Sequence, residues 1–252
     1  MDPRELATLT ADPIQTLGMS FYFDPPTGER ASEIGLNIYE FYGLGRAGVL
    51  GNVEPDEVVR AFNFFHPRAI DLIYTKALDK AEPAHAAERY VAAAYEFADR
   101  TFGAVPVDVL SGFAHAAHKV AAAVTPGRHL LFDGYHRVVV PTDPVHAAYL
   151  GTIVLRELRG CVHIEAVAEA GLTPSEACFL QDTGIFALHG YHEDEAPPSS
   201  EGLAAKKAEA EVLTEASMAE CFAVLDDAER QALADGTLAM AQALANPVPV
   251  AR

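Results

Sequence analysis

Alanine is abundant in this chain and runs of β-branched residues are rare, a pairing that commits most segments to helix. The punctuation points the same way. Pro55, followed by Asp56 and Glu57, marks a helix start, because a proline ring suits the first turn and the acids sit near the positive end of the helix dipole. His66-Pro67 closes that helix and opens another, since a residue before proline disfavours helical geometry. Asp143-Pro144 places a capping side chain ahead of a first-turn proline. Thr173-Pro174-Ser175-Glu176 is a capping box, in which Thr173 accepts a backbone N–H and Glu176 reaches back.

Between these marks the spacing predicts helices over 30–43, 55–65, 67–77, 83–102, 106–124 and 143–159. The first carries Ile34, Ile38, Phe41 and Tyr42 and is broken by the glycines from Gly43 to Gly48; Gly160 stops the last. Residues 162–170, the Gly171-Leu172 turn and 173–181 have the layout of a helix-turn-helix. An acidic, polar linker over 193–202 precedes two closing helices, about 203–224 and 226–245. Val138-Val139-Val140 reads as either a short strand or an extended connector. The fold class is all-α or nearly so, with a multi-helix domain over 1–125 packed on a second over 126–252.

Charge separates those halves. The 252 residues carry a formal net charge of -18, and residues 160–252 hold 16 acidic and four basic side chains, a net −12. Residues 160–205 contain no Lys or Arg. A surface so poor in cations gains little from counterion release at phosphates or from an anionic bilayer, so neither a nucleic-acid nor a membrane partner is expected. The longest stretch without Asp, Glu, Lys or Arg, 236–251, contains Asn246, Pro247 and Pro249 and falls short of the ~18 apolar residues a bilayer span needs. The first residues lack a basic region followed by an apolar run, so a cytoplasmic location is expected. Cys161, Cys178 and Cys221 are too scattered for a thiolate cage, and the first two read as small buried hydrophobes. No glycine-rich phosphate loop follows a strand, and no G-x-S-x-G occurs.

Two blocks of residues resemble a known family. The first is Tyr42, Gly45-Arg46-Ala47, Leu50-Gly51, Val58-Val59 and the run from Phe62 through Asn63, Phe64 and Phe65 to His66-Pro67. The second is His146-Ala147-Ala148, Leu155-Arg156-Glu157, Arg159-Gly160, His163 and Ala170-Gly171-Leu172, with Gly127-Arg128 and Tyr135-His136 between the blocks. Over about 30–190 these are similar to a large, little-characterised actinobacterial family labelled helix-turn-helix. That resemblance implies a helical N-terminal part and a winged-helix-like C-terminal part. The chain departs from it after His189, where the second helical pair and wing look shortened into the acidic linker, and at Cys161-Val162 ahead of His163.

Four of the ten histidines, His66, His136, His146 and His163, fall on those motifs. A neutral imidazole serves as a metal or haem ligand or as a general base near neutral pH. Convergence on one interhelical pocket would make His66 and His146 the catalytic candidates. Arg46, Tyr42, His136 and His163 would then be ligand-binding candidates, and His66, His146 and His163 candidate ligands for a transition metal or haem. The plainer alternative for each ring is a bond to a backbone carbonyl or a cap on a helix end. Arg46, bracketed by Gly45 and Gly48, either grips a ligand carboxylate or phosphate or forms a buried ion pair elsewhere. His115 and His118, three apart, share a helix face and either a metal or only solvent. Glu157 pairs with Arg156; it lies eleven residues and roughly 16 Å along the axis from His146, too far to share a reacting atom. The leading expectation is therefore a small-molecule-binding protein, an enzyme first of all, with the closing helices candidates for a homodimer contact. A ligand-responsive winged-helix regulator and a non-catalytic interaction or scaffold protein are the alternatives.

Overall fold

A computed structural model describes residues 1–198 and 201–246; Ser199 and Ser200 of the expected linker, and Pro247 and Pro249, lie outside the described residues. The described residues contain no strand. The elements are α1 (Pro3–Met19), α2 (Pro25–Glu33), α3 (Ile38–Glu40), α4 (Pro55–Phe62), α5 (Pro67–Ile73), α6 (Pro83–Phe102), α7 (Val107–Ala123), α8 (Leu130–His136), α9 (Pro144–Glu169), α10 (Pro174–Gln181), α11 (Thr183–Leu188), α12 (Glu201–Phe222) and α13 (Asp227–Ala245).

The predicted proline starts are where helices begin. Pro55, Pro67, Pro144 and Pro174 each open one, and the side chains of His66, Asp143 and Thr173 accept backbone N–H groups at the caps. The expected helix over 30–43 is split: the N–H of Leu36 turns back to the carbonyl of Ala31, and Asn37 opens α3 with its own capping box. Gly160 does not stop α9, which runs unbroken for 26 residues. A lone glycine costs a helix about 1 kcal/mol, and the burial of Leu158, Cys161 and Val162 around it outweighs that. Val138-Val139-Val140 is a connector and not a strand: the N–H of Val138 closes a turn on the Tyr135 carbonyl, and Val139 is exposed. A winged-helix would add a β-hairpin; among the described residues there is none, and the acidic segment holds only the short turn Glu193–Glu195.

Helix α9 is the axis of the molecule, with α7, α12, α8, α1 and α6 packed around it. Helix α1, which has no counterpart among the sequence expectations, joins the ends of the chain by packing on α12 and α13 as well. One apolar cluster runs from Leu6 to Met240, so the division expected at 125/126 passes through a shared core. A second, small cluster (Val167, Ala170, Leu172, Leu203 and Ala210) joins the last turns of α9 to α12.

Candidate functional site

Residues Phe41–Gly45 continue α3 as a π-turn, one residue wider per turn than the α-helix, and Arg46 follows in helical geometry rather than in the loop that the glycines suggested. The glycines serve close packing: a Cβ on Gly45 would lie 2.8 Å from Tyr90, and one on Gly48 would lie 2.1 Å from the Pro83 carbonyl. The segment is thereby pressed onto α6 and aims Arg46 at the middle of α9. Arg46 donates from Nε and Nη2 to the two carboxylate oxygens of Glu157, at 2.9 and 2.8 Å, and from Nη1 to the Tyr42 hydroxyl at 2.9 Å. Arg156 donates from Nη1 to the same carboxylate at 2.8 Å. All three charges are buried or nearly so. Burial pushes the Glu157 carboxyl up, but Arg46 and Arg156 outweigh it and hold the group at about 2. Arg46 thus forms the buried ion pair, not an open ligand grip, and the Arg156–Glu157 pair is present as expected.

This triad forms one wall of a cavity of about 500 Å³. Tyr22, Tyr42, Phe62 and Phe65 line it, with ring centroids 5.1 Å apart for Tyr22–Tyr42, 6.0 Å for Tyr42–Phe65 and 5.6 Å for Phe62–Phe65. The opposite side comes from α10, α11 and α12, through Cys178, Ile185, His189 and Ala210. His189 packs on Phe65 at 4.1 Å between centroids, and its Nδ1 lies 2.9 Å from the Cys178 sulfur. Burial, and then the charge of Arg46, depress its imidazole to about 4.

The four motif histidines do not meet there. His163 lines the cavity and bonds Thr214 Oγ1 through Nδ1 at 2.9 Å, and burial pushes its imidazole below the usual range. His66 caps α5, its Nδ1 accepting the N–H of Arg68 at 3.1 Å, beside the Arg68–Glu195 pair. His136 stacks on Phe132. His146 stacks on Tyr95 and lies 2.9 Å from Asp99. Each ring thus serves its own helix end or packing contact, and joint ligation of a metal or haem by His66, His146 and His163 has no geometric basis. Among the described residues, three potential donors lie within 4.8 Å of one another at Asp99, Asp143 and His146, in a largely exposed setting. His115 and His118 also part company: the first faces Glu229, the second donates to the Ala147 carbonyl. Of the candidates, Arg46, Tyr42 and His163 share the cavity. Sequence reasoning gave no role there to Arg156, beyond its pairing, or to His189. Besides those three candidates, the aromatic run from Phe62 to Phe65, already noted as a motif, lies on this wall.

The helix-turn-helix layout is present. At the end of α9 the N–H of Leu172 returns to the Val167 carbonyl at 3.0 Å, with Gly171 at φ 71, a left-handed conformation that glycine adopts without penalty. Thr173 and Glu176 then cap α10 reciprocally. Two cations from α12 brace the unit: Lys206 Nζ donates to the Gly171 carbonyl at 2.8 Å and Lys207 Nζ to the Leu180 carbonyl at 2.9 Å.

The sequence pattern of a helix-turn-helix family matches residues 7–248. No curated protein and no solved structure matches the chain. The family match points to DNA binding and regulation, and so overturns both the expectation of a histidine-pocket enzyme and the expectation that no nucleic acid would be a partner. The physical reason lies in where the acids go. Glu165, Glu195, Glu211 and Glu229 pair with Arg128, Arg68, Arg159 and Lys119 from the preceding part of the chain, and Glu176 is spent in a cap, so a charge summed by segment overstates the repulsion that a phosphate would meet. No helix of the described residues is long and apolar enough to cross a membrane. By a match that spans nearly its whole length, the chain belongs to the helix-turn-helix family.

Proposed function

We propose that this protein is a DNA-binding regulator whose affinity responds to a small effector. The observation that carries the reading is membership of a helix-turn-helix family over 7–248, together with the α9–turn–α10 unit in that region. Two features support the response to an effector. The helices of that unit, α10 and the end of α9, are also walls of the 500 Å³ cavity, so a ligand there touches the elements that would meet DNA. The layer that carries α10 rests on a small apolar cluster, which lets it shift without disturbing the main core. Lys206, beside the turn, is a cation placed to reach phosphate by giving up one backbone carbonyl, and Lys207 stands near the end of α10.

The test is selection from a random duplex library, followed by titration of the enriched duplex at several salt concentrations. The expected result is an enriched sequence whose affinity falls log-linearly with salt, with a shallow slope because few cations are available. Absence of any duplex binding at low salt overturns the reading.

A further inference from the structure

The charges around the cavity do not cancel. Its lining includes Arg46, Arg156, Arg159 and Lys207 against Asp12, Glu157 and Glu211, an excess of one cation in a chain whose net charge is -18. Arg159 pairs with Glu211 at 3.2 Å. Asp12 is exposed at the rim, whereas Lys207 is directed to the Leu180 carbonyl. Inside, one carboxylate, Glu157, serves two guanidinium groups. Arg46 takes both of its oxygens and Arg156 shares one. The Nε of Arg156 is buried with no hydrogen-bond partner, and its guanidinium lies 5.6 Å from the Tyr22 ring centre. No phenolate can balance it, because burial pushes the Tyr22 hydroxyl up to about 12. A buried guanidinium that must share its one carboxylate with a second arginine is only half compensated, and a single small anion at its open edge would relieve that cost. Beside the arginines stand the aromatic rings of Tyr22, Tyr42, Phe62 and Phe65, aliphatic side chains such as Ile164, Val167 and Ile185 complete the lining, and the volume is that of a small-molecule site.

We infer that the cavity binds an aromatic monocarboxylate, its carboxylate on Arg156 and its ring among Tyr22, Tyr42, Phe62 and Phe65. The inference rests on the proposed regulator only for its meaning as an effector site; binding itself is independent of DNA. A dianion is disfavoured, since Glu157 repels a second negative charge, and a cation more so.

The experiment uses the full chain without DNA and isothermal titration calorimetry at pH 7. The probes are 2-naphthoate, its neutral isostere 2-naphthamide and 1-naphthylmethylammonium. Naphthoate should bind, with the amide about tenfold or more weaker and the ammonium silent. Arg156→Gln should erase the preference for naphthoate over the amide, and Arg156→Lys should restore part of it. If Arg156→Gln fails to fold by circular dichroism, the comparison of probes on the unaltered protein decides alone. Equal binding of acid and amide, or no binding of naphthoate, overturns the inference. A second titration with the selected duplex separates the two readings. Naphthoate binding without DNA binding sinks the regulator and leaves the site; DNA binding without naphthoate binding does the reverse.

Discussion

Around the middle of α9 the protein buries three charges and surrounds them with a core drawn from helices along the whole chain. Over the last turns of the same helix, five small and medium apolar side chains make up the second cluster, against which α10 and α12 rest. The first region is over-determined, since each member of the ion triad is fixed by at least one other and by the packing behind it. The second rests on that small cluster and on polar links across it, among them two lysine-to-carbonyl bonds, His163–Thr214 and Arg159–Glu211, with His189 wedged against Phe65. The cavity lies between a stiff wall and a loose one, so whatever enters it displaces the loose side.

Breaking the stiff wall should have the largest effect. Glu157→Ala leaves two buried guanidinium groups without their carboxylate and should cost about 3–5 kcal/mol, read as a lowered midpoint in urea with the whole chain unfolding together. Gly48→Ala forces a Cβ onto the Pro83 carbonyl and should also destabilise globally, by about 1–3 kcal/mol. Leu172→Ala acts on the loose wall. It should cost about 2 kcal/mol, yet speed hydrogen exchange in α10 and α12 far more than in α7. Uniform acceleration across all helices would erase the contrast between the regions.

Acidity should sort the two walls in sequence. His189 is held below its usual 6.5, at about 4, so its contribution is complete above 6.5 and is lost as pH falls toward 4. Glu157, held at about 2 against a usual 4.5, keeps its contribution down to 4.5 and loses it only toward 2. Between pH 6.5 and 4.5 exchange should therefore quicken around α10 and α11 while the main core stays protected. His189→Phe should shrink that first step, burial depressing His163 in the same wall as well, and a step of unchanged size in the variant would refute the assignment. The smallest effect expected is on DNA: Lys206→Ala should reduce the salt slope by about one and weaken binding evenly across sequences.

Much of the fold was legible because it is written locally. A proline after Glu54, His66, Asp143 or Thr173 fixes a helix start whatever surrounds it, and α6 and α7 follow from spacing alone. What spacing could not supply was partnership. Arg46 and Glu157 lie 111 residues apart, so nothing near either names the other, and the buried pair stood level with an open ligand grip until the two were placed together. The histidines misled for the same reason: His66 and His146 lie on helix starts, where a ring caps or stacks as readily as it reacts. Charge counted along the chain failed because Glu229 meets Lys119 and Glu195 meets Arg68 across it.

The π-turn at Phe41–Gly45 makes this stretch sensitive to length as well as to composition. It accommodates one residue more than an ordinary helical turn would. Deleting one of the five would leave regular winding with the later register kept, whereas inserting one more, with the extra width already used, would swing everything beyond it by about 100° around the axis. After such an insertion Arg46 would turn away from Glu157. Gly43 and Gly45 have no room for a Cβ, and a single-codon insertion should disarm the cavity where a deletion should not; that asymmetry is the mark such a turn would leave on related sequences.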